Sequence, residues 1–193
     1  MKPFFPFLLF LAALVALPLA CVRPALAQAV EPQSTTEQYG TWSVNCRMTD
    51  PADEQGAAAR PARRCELKTS VNLRAEDGTQ RRLIDVALGQ RPDQQAFSVV
   101  VQVPPGAYLR NAVAVVLDPP KTATKTEPLA ELTYVSCAAN GCFAESGLSD
   151  KQLKLLQTAA AARVEFVDAQ RNRIGVPLSL IGLKDALAAL AQK

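Results

Sequence analysis

The chain has 193 residues, 49% of hydrophobic type and 20% charged, with a formal net charge of +3 and no histidine. Such length and apolar content suit a single globular domain with its own core. Without histidine there is no Ser-His or Cys-His nucleophilic pair, no His-ligated zinc and no imidazole acid/base, and so small a charge lacks the clustered basic footprint of a nucleic-acid binder.

The first residues, MKPFFPFLLFLAALVALPLACVRPALAQ, place Lys2 before an apolar run from Phe4 to Ala20 and put Ala25-Leu26-Ala27 before Gln28. This is the pattern of a cleaved secretory signal peptide, expected over residues 1–27. Two rival readings are weaker. Lipidation at Cys21 would want an aliphatic residue where Pro18 stands, and retention as an anchor would strain a run near the lower limit for a spanning helix. Cleavage removes Lys2, Arg23 and Cys21, leaving four cysteines of the five. No later run is long enough to cross a bilayer as a helix, so no integral span is expected after cleavage.

Residues 28–38 lack apolar periodicity and read as a flexible tail; residues 39–191 read as the folded domain. In TWSVNC, Trp42, Val44 and Cys46 share one face, and in CELKTSVN, Cys65, Leu67, Thr69 and Val71 do the same. That period of two marks strands with one face on a core. Between them, MTDPADEQGAAARPARR reads as a long loop. Further strands are expected in RRLIDVALG, AFSVVVQV, NAVAVVLD, LTYVSC and CFAES, bounded by Asp77-Gly78, Pro104-Pro105-Gly106 and Asp118-Pro119-Pro120. DPPKTATKTEP is a polar surface connection. The density of strands predicts a single-domain β-sandwich or barrel-like antiparallel sheet.

Two short helices interrupt this pattern. Ser149 with Gln152 forms a capping box and Leu148 with Leu153 a hydrophobic staple, predicting a helix from Asp150 with Leu153, Leu156 and Ala160 on one face. The chain returns to strand in RVEFVD and RIGVPLSLI, where Pro177 requires an edge or bulge. LKDALAAL then predicts a last helix with Leu183, Leu187 and Leu190 stacked.

Cys137 and Cys142 flank Ala-Ala-Asn-Gly, and Asn140-Gly141 is a strong hairpin signal, so the two cysteines face each other across a hairpin neck. Their Cys-x4-Cys spacing is not that of a redox pair, and Cys46 and Cys65 are too far apart to form a zinc knuckle. Four cysteines allow three pairings. The local solution joins Cys46 to Cys65 and Cys137 to Cys142, in the oxidising compartment that export implies.

These segments, YGTWSVNC, CEL, VPPGAYLRNAVAVVLD, YVSCAANGCFAE, ARVEF and GVPLSLIGLKDAL, occur in the order found in the invasion-associated locus B family of bacterial exported proteins, which the chain resembles from about Tyr39 to about Leu190. The resemblance implies an exported β-rich domain of the periplasm or cell envelope, some members being associated with entry into host cells. It brings no catalytic residues.

On their own evidence the residues offer no Ser-x-x-Lys, Gly-x-Ser-x-Gly, Gly-x-Gly-x-x-Gly or Walker loop. Carboxylate chemistry would have to draw on Asp85, Glu131, Glu145 or Glu165. Of these, Asp85 stands out because it shares a strand face with Leu83 and Ala87; the ordinary explanation is a structural hydrogen bond or an edge position. An outer-membrane barrel is disfavoured, since Tyr39, Trp42, Phe97, Tyr108, Tyr134, Phe143 and Phe166 are too few for two aromatic girdles. Trp42 reads as a core anchor. The loop PPGAYLRN carries the sharper binding candidates, Tyr108, Leu109 and Arg110, residue types that include interface hot spots; the plainer alternative has Tyr108 and Leu109 starting the next strand in the core. By subtraction, the expected function is binding rather than catalysis. No cofactor or metal is assigned, and the expected partner is a protein or a surface of the envelope or host; a purely periplasmic maintenance or partner-binding role is the alternative. Mass spectrometry of the exported protein is expected to find a chain beginning at Gln28, and a lipidated start at Cys21 would overturn the signal-peptide assignment.

Overall fold

Strand pairing among the described residues is antiparallel, and the registers show why the period of two in the sequence matters. The computed structural model describes residues 33–49, 62–90, 96–118 and 128–193. Within them lie β1 (Ser34–Tyr39), β2 (Trp42–Met48), β3 (Arg63–Arg74), β4 (Gln80–Gln90), β5 (Phe97–Val103), β6 (Val113–Leu117), β7 (Pro128–Ala138), β8 (Gly141–Leu148), α1 (Asp150–Thr158), β9 (Ala162–Val167), β10 (Arg173–Leu178) and α2 (Leu183–Leu190). The strands join in the order β1-β2-β3-β4-β5-β8-β7-β6-β9-β10, which accords with the expected antiparallel, β-rich fold with two helices. The predicted signal peptide lies outside the described residues, as do most of the β2–β3 loop and of the connection before β7.

Strand β7 is the corner. Its first half, up to Leu132, pairs with β6, whereas Thr133 onward pairs with β8. A strand shared between two halves of a sheet lets the halves turn toward each other without breaking the hydrogen-bond ladder. The register shifts between Tyr134 and Ser136, at the bend, as bulges do where a sheet changes direction. The inner faces of both halves then supply one core: Trp42, Val44, Leu67, Ile84, Val86, Leu88, Val99, Val101 and Val103 from one, and Val113, Val115, Leu132, Val164, Phe166, Val176 and Leu178 from the other. Each such side chain contributes about 1.5–3 kcal/mol when fully removed from water.

Helix α1 starts as the capping box requires. The backbone N–H of Gln152 donates to Ser149 Oγ at 3.3 Å and the Ser149 N–H donates to Gln152 Oε1 at 2.9 Å, which occupies orphan donors at the helix start. Leu156 is buried and Leu153 packs on the same cluster, but Ala160 is exposed beyond the helix end. The chain leaves the helix at Ala159, whose ψ of 144° is extended, so the apolar spacing that includes Ala160 is coincidental. Helix α2 buries Leu183, Ala186 and Leu187. Pro177 lies on β10, an edge of the sheet, where a missing N–H costs no ladder bond.

A further departure is β1. Residues 34–38 are expected to be tail, yet Ser34–Tyr39 pairs with β2 from Ser34 opposite Arg47 to Tyr39 opposite Trp42. Its alternation is polar on both faces, so it carries no hydrophobic signature. Backbone pairing along the exposed edge of β2 orders it, aided by a bond from Thr36 Oγ1 to Asn45 Oδ1 at 2.9 Å and by Tyr39 Oη donating to Glu37 Oε2 at 2.9 Å. The Lys193 ammonium also pairs with Glu37, and these two hydrogen bonds, Lys193 first, hold the Glu37 carboxyl below its ordinary range.

The turn after β1 meets the turn before α2 back to back. Gly40 has φ +57° and Gly182 φ +86°; a Cβ on Gly182 would lie 2.0 Å from Tyr39 O, and one on Gly40 2.6 Å from Ile181 O. The Thr41 N–H donates to Ile181 O at 3.0 Å and Trp42 Nε1 donates to Ser179 O at 2.9 Å. Trp42 itself is fully buried. The left-handed backbone costs an L side chain about 1–2 kcal/mol and forced overpacking about 1–3 kcal/mol more. Gly182→Ala is therefore expected to lower stability in urea titration by roughly 2–5 kcal/mol, whereas Gly78→Ala, at φ +81° with nothing within 4 Å of the new methyl, should lose only about 1–2 kcal/mol.

Candidate functional site

The outer face of β3, β4, β5 and β8 can be read as a grid from its registers. One row across the strands is Ser70, Asp85, Gln102 and Phe143; the next is Lys68, Ala87, Val100 and Glu145; the third is Glu66, Gly89, Ser98 and Gly147. Side chains in the middle columns of the last two rows are short, while Glu66, Lys68 and Glu145 stand beside them, so the face sinks into a valley along β4 and β5. Its larger concavity, about 440 Å³, is lined by Lys68, Ser70, Arg82, Asp85, Gln102 and Phe143 among others. A neighbouring recess of about 190 Å³, reaching Arg47, Arg64, Gln90 and Ser98, shares Glu66, Ala87 and Val100 with it.

The polar residues at the head of the valley are held in place. Ser70 Oγ donates to Asp85 Oδ1, and Arg82 Nη1 donates to Asp85 Oδ2 at 3.0 Å. The Gln102 amide donates to Asn140 O at 2.8 Å. On the β3 wall, Lys68 pairs with Glu66 at 2.7 Å. Both signs of charge are interleaved, so the valley can offer hydrogen-bond donors and acceptors side by side but no strong single-sign field. Asp85 thus accepts structural hydrogen bonds, as one of the two ordinary explanations expects; the other, an edge position, does not hold, because β4 lies between β3 and β5.

Cys46 lies directly opposite Cys65, and Cys137 directly opposite Cys142. Each pair forms a disulfide with Cα atoms 4.0 Å apart. The first bridge clamps β2 to β3 beside the smaller recess, and the second clamps the β7–β8 hairpin. That hairpin turns one residue earlier than the Asn-Gly signal suggests: Ala138 pairs with Gly141, so Ala139 and Asn140 form the turn, and the positive φ, +144°, belongs to Gly141. A Cβ there would meet Val103 O at 2.4 Å, which makes close approach of β5 a second reason for glycine.

The loop residues Tyr108, Leu109 and Arg110 lie before β6, not in it. The Tyr108 N–H donates to Val167 O at 2.8 Å, and Ala107 bridges to Asp168. The Arg171 guanidinium sits 5.3 Å from the centre of the half-buried Tyr108 ring, a contact worth about 0.5–1 kcal/mol at an exposed site. Leu109 is 53% exposed and Arg110 also faces solvent. Of these three, Tyr108 is the one in contact with Arg171, and none of them is among the residues lining the valley.

Of the remaining carboxylates, Glu145 lies on the valley face opposite Val100, and the other two lie together elsewhere. Glu131 and Glu165 share a small concavity on the outer face of the other half, where Arg163 Nε donates to Glu165 Oε1 at 2.7 Å and Arg173 Nη1 to Oε2 at 3.1 Å. Hydrogen bonding to Arg163, then to Arg173, lowers the Glu165 pKa against the opposing pull of burial. A general acid needs the reverse shift. Among the described residues, no group of three or more Cys, Asp or Glu side chains gathers as a metal site would require, and no helix is long and apolar enough to cross a membrane.

Sequence reasoning did not find the valley. Its traces were present as Ala87, Gly89, Ser98 and Gly147 at outward positions, where strands usually carry larger residues, but only the register aligns them.

Residues 42–191 match the family model described as Invasion associated locus B (IalB) protein. Among solved structures, the crystal structure of invasion associated protein b from Bartonella henselae is similar, with a TM-score of 0.62 and 19% identity over 82% of this chain and 96% of that one. No curated protein matches. At that identity the likeness extends to the fold.

The Glu165 cluster yields a pH prediction. Because its folded pKa is lowered, its contribution is complete above the ordinary value of 4.5 and disappears as pH falls through the folded pKa. Arg163→Met is expected to move the Glu165 titration, followed by carboxyl NMR, upward, and to flatten the loss of stability below about pH 4.5.

Proposed function

Because this chain belongs to the invasion associated locus B family, we propose that it is an exported, disulfide-clamped, non-catalytic binding protein of the bacterial cell envelope that contributes to contact with host cells. The observation that carries the binding reading is the outer-face valley, a concavity of about 440 Å³ walled by prepositioned polar side chains. Small-molecule and group-recognition sites fall in the range of about 300–1,000 Å³ and combine an apolar floor with a few fixed polar groups. The absence of histidine and the lowered Glu165 carboxyl support recognition over catalysis. The exposed Leu109 and Arg110 beside the half-buried Tyr108 offer a second contact surface consistent with this role.

Host contact and a purely periplasmic role make opposite demands. A host-contact protein is expected to be cleaved by protease added to intact cells and, once purified, to bind host cells. A periplasmic partner-binding protein would be shielded from the protease and show no host-cell binding. Reduction of both disulfides is expected to abolish binding, measured by flow cytometry with labelled protein, because β2–β3 and the β7–β8 hairpin lose the clamps beside the valley. Removing a disulfide typically costs about 2–5 kcal/mol.

A further inference from the structure

We infer that the valley over β4 and β5 is a saccharide site, an assignment that rests on the binding reading above and names its ligand. Ser98 is the starting observation. It sits on the outer face of β5, between Gly89 of β4 and Gly147 of β8, yet it is only 6% exposed. It lines the smaller recess, where its hydroxyl is open to a ligand rather than bonded to a neighbouring side chain.

The glycines beside it have no internal reason to be glycine. Neither Gly89 nor Gly147 has a positive φ; a Cβ on Gly147 would touch nothing within 4 Å, and one on Gly89 would make an ordinary 3.4 Å contact with Glu66. Glycine weakens a strand interior, and where no bulge or internal crowding explains it, a ligand approaching the backbone does. The chemistry around the opening narrows the class. Asp85 and Gln102, directly opposite one another, are both fixed by other hydrogen bonds and keep free lone pairs or N–H groups. Phe143 stands next to Gln102 in the same row, and Ala87 with Val100 forms an apolar floor. A sugar ring presents an apolar C–H face and an edge of alternating donors and acceptors. The valley presents their complement over more than one ring: Phe143, the short floor, the Asp85 carboxylate and the Gln102 amide for one sugar, and the Ser98 hydroxyl in the adjoining recess, four residues along β5, for a neighbouring one. Mixed charge on the walls, with Arg47, Arg64, Lys68 and Arg82 interleaved with Glu66 and Asp85, argues against a ligand recognised by charge alone.

The test uses the full exported chain with both disulfides intact. It is screened on immobilised neutral and acidic mono- to tetrasaccharides, and hits are measured with the free sugar by calorimetry. Binding of at least one saccharide is expected, with Ser98→Ala and Gln102→Ala each weakening it about tenfold. Gly89→Val, which fills the recess, should abolish it. The thermal midpoint of each variant is recorded, and Ser98→Ala, which deletes one oxygen, keeps the test valid should Gly89→Val fail to fold. No saccharide bound, or saccharide binding indifferent to Ser98→Ala and Gly89→Val, overturns the inference. So does Gly89→Val protein that folds and still binds host cells as the wild type does, an outcome that leaves the broader binding function standing. Loss of host-cell binding by the wild type itself would instead count against that function.

Discussion

The contact between Gly40 and Gly182 is the constraint on which the rest of the structure depends. Two turns far apart in sequence approach until the carbonyl of Tyr39 occupies the space where a Gly182 side chain would begin. Nothing larger than hydrogen fits on either Cα. Around this point Thr41 and Trp42 hydrogen-bond to the segment leaving β10, and Thr69 Oγ1 reaches Thr41 O at 2.8 Å. The start of one half of the sheet is thereby tied to the end of the other. With β7 serving as the corner at the opposite side, the two inner faces close over Trp42 and its neighbours, and α2 covers the seam with Leu183, Ala186 and Leu187.

The disulfides act within this frame rather than across it. Both join residues on adjacent strands that are already paired, so neither determines the topology. The Cys46–Cys65 bridge, with a sequence separation of 19, restricts the unfolded chain by about 3 kcal/mol in the entropy model, whereas the bridge across five residues restricts it less. Their placement has a local effect. One lies beside the recess that holds Ser98 and the other beside the Asn140 carbonyl that anchors Gln102. Covalent rigidity is therefore concentrated beside the valley, where the proposed recognition calls for side chains in fixed positions.

The two faces of the sheet divide the work. The inner face spends its residues on Val, Leu, Ile and Trp that exclude water, and its sequence is constrained by packing. The outer face needs no core, yet over β4, β5 and β8 it is neither uniformly polar nor flat. Short residues at its centre and fixed polar groups at its head give it a shape that stability alone does not demand, which is why recognition is assigned there and not to the buried aromatic at Trp42.

Much of this was legible in local chemistry. Alternation in TWSVNC and CELKTSVN identifies which side chains face the core, because period two is a property of the strand itself. Ser149 with Gln152 announces the start of α1, since the capping box is closed by residues three apart. Three features were not legible. Strand β1 has no apolar signature and is ordered by a neighbour's backbone. Ala160 fits the helical spacing but lies beyond Ala159, where the chain turns extended toward β9. The valley depends on β5 pairing with β8 and β4 with β5 in one register. The residues of one chain therefore determine which face of each strand is wet, how its helices begin and where its cysteines can meet. Which strands become neighbours, and so which outward side chains form a site, is decided by tertiary closure, because hydrogen bonds between strands carry no record in the local sequence of which partner they will take.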